Sequence, residues 1–418
     1  MQIAALVIFI AVYVGLAAGR MPGLALERTG FVVVGAAAML VTGLLTGAEA
    51  QASIDGATLA ILFGLMLLSA QYELSGLYDA ITQRLAAIGN LNHLLAGLIA
   101  TCAALAALLT NDVVCVAVTP VVTAAMLRRR TNPVPFLIAI AAASNIGGAL
   151  TPIGNPQNIL IAQACSLRFA TFMAVAAVPV LGSLGLLYLM LRARVEVTPA
   201  NDEPPDASTA LPPAAARFGL TAEETRGERS KALILTAVAM VLFLTPVPAA
   251  LSALLVGAAV MMSRRFPTSA LLSRVDGPLL LLFAALFVVV RGFEAAGWVD
   301  AARSALLGAG VPLHEEPVAM VLVGLLSNLF SNVPAVMLML SFVPRTESMG
   351  MALALGSTLA GNAILLSSIA NLIVVEQARR FGVKLSFADH ARVGIPLTAL
   401  SVMLAIATVV GRELLLGH

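Results

Sequence analysis

The sequence predicts an all-α polytopic membrane protein of two inverted repeats, each with five transmembrane helices, one of them broken, and one re-entrant hairpin. Three observations predict it. Of 418 residues, 60% are hydrophobic and only 11% charged, with a mean hydropathy of +0.98, a composition that suits a chain dissolved in lipid. The order of apolar, amphipathic and interrupted segments occurs twice, before and after a polar connector. In each half one apolar run carries glycine, asparagine or paired serines where an unbroken helix would not. Such breaks are tolerated at membrane depth only where the freed backbone groups line a cavity or are buried in protein.

A span takes about 20 apolar residues, which places the first three at 2–18, 30–47 and 54–71. The run from Ile3 to Ala18 has no basic residue before it and no cleavage pattern, so it reads as a span and not a signal peptide. An amphipathic, interfacial piece follows, YELSGLYDAITQRLAAIGN. The apolar arms Leu94–Leu109 and Val113–Leu127 are then separated only by Thr110, Asn111 and Asp112. Three polar residues cannot form a solvated loop between two full crossings, so the pair reads as a hairpin with its tip at membrane depth. The broken helix covers 134–164, and a further span covers 171–191. In its centre, SNIGGALTPIGNPQN, glycines weaken the helix and Pro152 and Pro156 each remove a backbone donor.

Residues 194–230 are rich in proline, alanine and charge and read as a flexible cytoplasmic linker between halves 1–193 and 231–418. Spans at 231–245, 248–263 and 277–291 precede a second amphipathic piece, RGFEAAGWVDAARSALL. A second hairpin has arms Val318–Phe330 and Pro334–Val343 around Ser331, Asn332 and Val333. A second interrupted helix covers 351–377, and a last span 393–411.

The repeat is visible residue by residue. LLTNDVVCVAV and LFSNVPAVMLM match at the tips, setting Asn111 opposite Asn332, and SNIGGALTPIGNPQN and STLAGNAILLSSIAN pair Ser144 with Ser357, Gly148 with Gly361 and Asn158 with Asn371. Five crossings is an odd number, so the halves are expected in opposite orientations, the arrangement that lets a carrier open to each side in turn. With both termini outside, all but five of the 24 lysines and arginines fall on the cytoplasmic side, Arg20 and Arg217 among them; the exceptions are Arg168, Arg291, Arg303, Arg345 and Arg412. That bias is what the positive-inside rule requires of a multi-pass plasma (bacterial inner) membrane protein.

The tips and breaks supply the candidate substrate and ion ligands. Thr110, Asn111 and Asp112 are expected to face Ser331 and Asn332, with Ser144, Asn145, Gly154, Asn155, Asn158, Ser357, Thr358, Asn362, Ser367 and Asn371 contributed by the broken helices. Amide, hydroxyl and carboxylate oxygens suit a hard monovalent cation, and amide and hydroxyl donors suit an oxyanion. The same residues also cap short helices, and small residues favour close helix packing; neither explains the asparagines of the broken helices. Asp112 is the one carboxylate expected deep in the membrane, which makes it the candidate for coupling, as a proton carrier or as part of a Na⁺ site with Asn111 and Asn332. No deep lysine or arginine is expected to hold a carboxylate. There is no P-loop, so the chain is not expected to be an ATP-hydrolysing or other enzyme. The four histidines read as loop or terminal residues, Cys102, Cys115 and Cys165 as packing thiols, and no cofactor, metal cluster or nucleic-acid partner is expected.

Taken in order, these motifs resemble the ion transporter superfamily, which includes arsenite permeases, NhaD-type antiporters, citrate carriers and divalent anion/sodium symporters. The most specific elements are LLTNDVVCVAVTP and SNIGGALTPIGNPQN, which are most similar to arsenite-permease-like transporters and plant silicon efflux transporters. The resemblance implies a scaffold domain, a moving transport domain with elevator-like motion, and a homodimer in the bilayer. In the dicarboxylate branch each tip carries Ser-Asn-Thr. Here the asparagines carry over, but the third positions are Asp112 and Val333, and an acid beside the site would repel a dianion. The expected function is secondary active transport of a small inorganic anion or metalloid acid, arsenite- or silicate-like, coupled to H⁺ or Na⁺ and acting in efflux. The alternatives are a Na⁺/H⁺ antiporter and a Na⁺-coupled di- or tricarboxylate symporter.

Overall fold

A computed structural model describes residues 2–19, 25–195 and 218–416, with side chains described as far as Arg412. Arg20, Arg217 and linker residues 196–217 lie outside the described residues. The first half forms α1 (Gln2–Ala18), α2 (Arg28–Val41), α3 (Gly47–Ser53), α4 (Gly56–Leu74), α5 (Leu77–Ala86), α6 (Leu91–Leu108), α7 (Asn111–Arg128), α8 (Val134–Gly148), α9 (Pro156–Ala164) and α10 (Phe169–Arg192). The second forms α11 (Ala222–Phe243), α12 (Ala249–Met261), α13 (Thr268–Leu272), α14 (Gly277–Ala295), α15 (Trp298–Gly308), α16 (Glu316–Phe330), α17 (Asn332–Phe342), α18 (Glu347–Ala360), α19 (Ile369–Arg379) and α20 (Phe387–Leu416). Among the described residues there is no strand, and six helices are long and apolar enough to cross a membrane: α4, α6, α7, α10, α14 and α20.

Local chemistry sets the ends of these helices in the same way in both halves. Asp55 and Asp276 cap α4 and α14, accepting from the backbone N–H of Ala57 and Thr58 and of Leu279. The turns into α5 and α15 run through Gly76 (φ 65°) and Gly297 (φ 80°), a left-handed geometry that glycine adopts without a Cβ penalty. Two boundaries differ from the sequence expectation. The linker ends sooner, because Thr221 and Glu224 form a reciprocal capping box that starts α11 at Ala222. The first hairpin is longer, because Asn90 caps α6 at Leu91 and α7 runs on to Arg128. Both of its arms are thus of spanning length, unlike α16 and α17.

Packing is reciprocal. α4 packs on α12 and α14 on α2; α6 packs on α8 and α16 on α18; α7 lies against α19 and α17 against α9. The helices sort into two groups, α1–α4 with α11–α14 and α6–α10 with α16–α20. α8 lies deep in the second group, with every residue from Pro135 to Gly148 buried. An all-round apolar helix that nonetheless carries Ser144 and Asn145 must find partners for them inside the protein.

Candidate functional site

Each break is an arrested helix whose last carbonyls are taken up by an asparagine from the helix that follows. α8 stops at Gly148, the chain crosses an irregular segment, and α9 restarts after the extended residue Asn155. Asn158 Nδ2 reaches back to the carbonyls of Gly148 and Thr151 at 3.1 and 3.2 Å. In the second half α18 stops at Ala360, a short 3-10 turn covers Leu365–Ser367, and α19 restarts after the extended Ser368. There Asn371 Nδ2 reaches the carbonyls of Gly361 and Ile364 at 3.0 and 3.1 Å.

The two breaks are joined by hydrogen bonds that exchange equivalent partners. Asn145 Nδ2 donates to Asn371 Oδ1 at 3.2 Å, and the residue matching Asn145, Thr358, donates to Asn158 Oδ1 at 3.2 Å. Ser368 Oγ donates to Asn145 Oδ1 at 3.1 Å, while its match Asn155 donates from Nδ2 to Thr358 Oγ1 at 3.5 Å. Asn145 Nδ2 also reaches Asn362 Oδ1 at 3.2 Å, and Gln157 Nε2 reaches Thr358 Oγ1 at 3.1 Å. Asn111 at the first tip joins through Nδ2 to Asn145 Oδ1 at 2.9 Å. Ser144, Asn145, Asn155, Asn158, Ser357, Thr358, Asn362, Ser367 and Asn371 are all at most 1% exposed.

The direction of this network follows from chemistry. A backbone carbonyl only accepts, so Asn158 and Asn371 must each turn Nδ2 toward the broken ends and Oδ1 toward the other half. Asn371 Oδ1 then accepts from Asn145 Nδ2, Asn145 Oδ1 accepts from Asn111 Nδ2, and Asn111 Oδ1 is left over. On the other side Asn158 Oδ1 accepts from Thr358, whose oxygen accepts from Asn155, and Asn155 Oδ1 is left over. Asn328, which ties α16 to the second break by donating to Ala360 O at 3.1 Å, likewise leaves its Oδ1 unpaired, as does Asn332. Ser144 Oγ lies outside this network, against the buried thiols of Cys102 and Cys115. A buried polar atom without a partner costs about 1–3 kcal/mol, and the unpaired amide oxygens of Asn111, Asn155, Asn328 and Asn332 share one polarity, since each is an acceptor.

The predicted residues divide by location. Asn111 and the breaks meet in the network, whereas among the described residues no side-chain hydrogen bond links Ser331 or Asn332 to either break or joins the two tips. Ser357 bonds only to Ala354 O, and Ser367 braces its own break by donating to Gly361 O and Ile364 O. Gly154 is needed for space, since a Cβ there would stand 2.5 Å from Gly148 O. Ser331 forms the second tip in a left-handed conformation, φ 75°. Thr110 and Asp112 instead line a cavity of about 70 Å³ with Glu73, Arg274 and Asp276, at the seam between the two helix groups. Two further carboxylates, Glu73 and Asp276, thus stand beside Asp112 at this cavity. Arg274 does reach this site, but it is spoken for by Glu73 at 3.0 Å, while Asp112 has no hydrogen bond or ion pair among the described residues. A larger cavity of about 390 Å³ opens where Asp55 and Glu294, the counterparts of Asp276 and Glu73, meet Arg291, Ser341 and Arg345.

Sequence reasoning misses Gln157, Asn328 and His390. The first lies inside the SNIGGALTPIGNPQN motif and the second one turn before the tip, so position could have found them. His390 is a correction: the sequence suggests a loop residue, and it is fully buried in the first turn of α20.

Paired broken helices, their ends facing each other through neutral polar side chains in an apolar helical protein, define a secondary transporter. The chain belongs to the citrate transporter family, whose model matches residues 4–350. Among curated relatives, silicon efflux transporter LSI3 of Oryza sativa subsp. japonica is 29% identical over 442 residues, covering 90% of this chain and 91% of that one. Inner membrane protein YbiR of Escherichia coli (strain K12) is 32% identical over 333 residues, covering 78% and 81%. The crystal structure of the Alcanivorax borkumensis YdaH transporter superposes with a TM-score of 0.58 over 99% of this chain and 97% of that one, at 16% identity, a likeness of fold. The protein is thus a multi-pass membrane transporter of ions or small molecules and not an enzyme.

Proposed function

We propose that the protein exports a small metalloid acid, silicic- or arsenous-acid-like, in its undissociated form, coupled to H⁺ or Na⁺. The observation that carries this reading is the polarity of the buried network: the unpaired amide oxygens of Asn111 and Asn155 are acceptors held in place by backbone carbonyls. They call for a ligand that brings hydrogens or positive charge. A neutral polyhydroxy acid brings O–H donors on every face, whereas a tricarboxylate such as citrate brings one hydroxyl and otherwise charged acceptors. The similarity to a silicon efflux transporter supports the same solute class, and the third tip positions, Asp112 and Val333, speak against a dianion.

Coupling is assigned to Asp112. Its carboxylate stands at the seam beside Asp276 and the Glu73–Arg274 pair, one residue from the network through Asn111. The halves are read as inverted repeats, a reading supported by the reciprocal hydrogen bonds and by the two cavities. One cavity joins the end of α4 to the start of α14, and the other joins the start of α4 to the end of α14. In this scheme α6–α10 with α16–α20 is the moving domain of an elevator, sliding against α1–α4 with α11–α14. The assembly is a homodimer in a plasma or bacterial inner membrane, with both termini outside. A second reading, a Na⁺/H⁺ antiporter, draws on the unpaired Asp112 beside Asp276, since facing carboxylates suit cation exchange.

Proteoliposomes separate these readings. With silicic or arsenous acid present, a pH or Na⁺ gradient is expected to drive solute movement, and protons are expected to move only with the solute. Proton movement under a Na⁺ gradient alone would favour the antiporter, and Na⁺-driven citrate uptake would favour a tricarboxylate symporter.

A further inference from the structure

The second break is held from behind by a side chain that the first break does not have. His390 Nε2 lies 3.0 Å from the carbonyl oxygen of Asn362. A carbonyl cannot donate, so this ring nitrogen carries the hydrogen. The Nδ1 atom of the same ring has no partner among the described residues, although the residue is 0% exposed. Two neighbours on the same face of α20 complete the contact. Gly394 packs so closely that a Cβ there would stand 2.8 Å from Ala363 O, and Thr398 Oγ1 donates to Leu359 O at 3.3 Å. The carbonyl end of the arrested helix α18 is thus gripped along one side of α20.

The first half shows that this grip is not required for packing. α10 and α20 begin with the matching sequences Phe169-Ala170-Thr171-Phe172 and Phe387-Ala388-Asp389-His390. The fourth residue is buried in both, 1% exposed as Phe172 and 0% as His390. An apolar ring therefore fills this position in one repeat. No side-chain hydrogen bond reaches the carbonyl of Ala149, the residue matching Asn362, among the described residues. Histidine in the second repeat adds one hydrogen bond at the expense of a buried, unpaired nitrogen, a defect of the kind kept where it serves a purpose.

We infer that His390 is a positioning residue for transport: by holding the Asn362 carbonyl it fixes the Asn362 side chain, whose Oδ1 takes one of the hydrogen bonds of Asn145. It touches no cargo and acts through Asn362 on the centre of the network. The inference rests on the proposed transport function for its consequence and on geometry alone for its cause, so two readouts are needed.

Three proteins are compared: wild type, His390→Phe, which copies the first repeat, and His390→Gln, whose Nε2 can donate to the same carbonyl. Hydrogen exchange of the backbone over residues 361–368 is measured in detergent, and proteoliposome transport of silicic acid and arsenous acid is measured for half-saturation and maximal rate. In His390→Phe, exchange over the break is expected to quicken and half-saturation to rise about five- to tenfold, the weight of one hydrogen bond of about 1 kcal/mol. The maximal rate and melting temperature are expected to stay near wild type. In His390→Gln both readouts are expected to return most of the way. Unchanged exchange and transport in His390→Phe would overturn the inference, as would a His390→Gln protein as impaired as His390→Phe. If the exchange pattern appears but wild type moves neither acid, the positioning role stands and the proposed solute falls.

Discussion

The two breaks perform one task with different materials. The first is cut by sequence chemistry: Gly147, Gly148, Pro152, Gly154 and Pro156 prevent a continuous helix within a single short stretch. The second has no proline and is cut by context. Its chain is pinned by Ser367 and Asn371 from within and by His390 and Thr398 from α20. The tips differ in the opposite sense. The first turns through Thr110 in ordinary extended geometry, φ −122°, whereas the second places Ser331 at φ 75°, where a side chain is strained. The two breaks thus share reciprocal hydrogen bonds while each distributes rigidity and strain differently.

The central pair tests this comparison most severely. Asn145 makes hydrogen bonds to Asn111, Asn362, Asn371 and Ser368. Asn145→Ala would leave several buried groups unpaired at about 1–3 kcal/mol each, and it is expected to abolish transport and lower the melting temperature sharply. The matching change Thr358→Val keeps the side-chain shape and is expected to reduce transport about tenfold, with a smaller stability loss, since hydrogen bonds in such networks contribute unequally. Equal effects would mean that the two halves are interchangeable at the centre. Asp112→Asn tests a feature found only in the first half. Solute is expected to equilibrate across the vesicle membrane without accumulating, and gradient-driven accumulation by this variant would remove Asp112 from coupling.

Smaller effects distinguish the breaks and tips. A Cβ on Gly148 would stand 2.6 Å from the Asn155 amide, and one on Gly361 would stand 3.2 Å from that of Asn332. Gly148→Ala is therefore expected to cost about 1–3 kcal/mol by overpacking, and Gly361→Ala less, as read by thermal unfolding in detergent. Ser331→Gly is expected to raise stability by up to about 1 kcal/mol by relieving the left-handed strain, whereas Thr110→Gly should lower it. The same sign for both would mean that the tips are equally strained.

How much of the fold and site is legible in the sequence follows the same division. The first break, both tips and the asparagine pairs are legible because glycine, proline and asparagine all disfavour a plain membrane helix and so stand out in an apolar run. The second break is located through its match to the first and hardly through its own residues, since STLAGNAILLSSIAN reads nearly as a helix. The start of α11 falls earlier than its charge suggests: charge marks the segment as linker, its capping box marks it as helix, and the box prevails. Asp112 groups with the tips in the sequence because it is adjacent to Asn111. On α7 consecutive side chains point about 100° apart, so one faces the network and the other the seam. His390 is unreadable because it sits among the charges of Arg379, Arg380, Lys384, Asp389 and Arg392, ahead of the last apolar run, where a histidine reads as a loop residue.

The central claim is that solute is held among the acceptor oxygens between the two breaks. Thermal unfolding of the purified protein with added silicic acid, arsenous acid or citrate tests it directly, because only a bound ligand raises the melting temperature by mass action. The account predicts a concentration-dependent rise with silicic or arsenous acid, absent in Asn145→Ala and absent with citrate. A rise with citrate alone, or one with either acid that persists unchanged in Asn145→Ala, would contradict it.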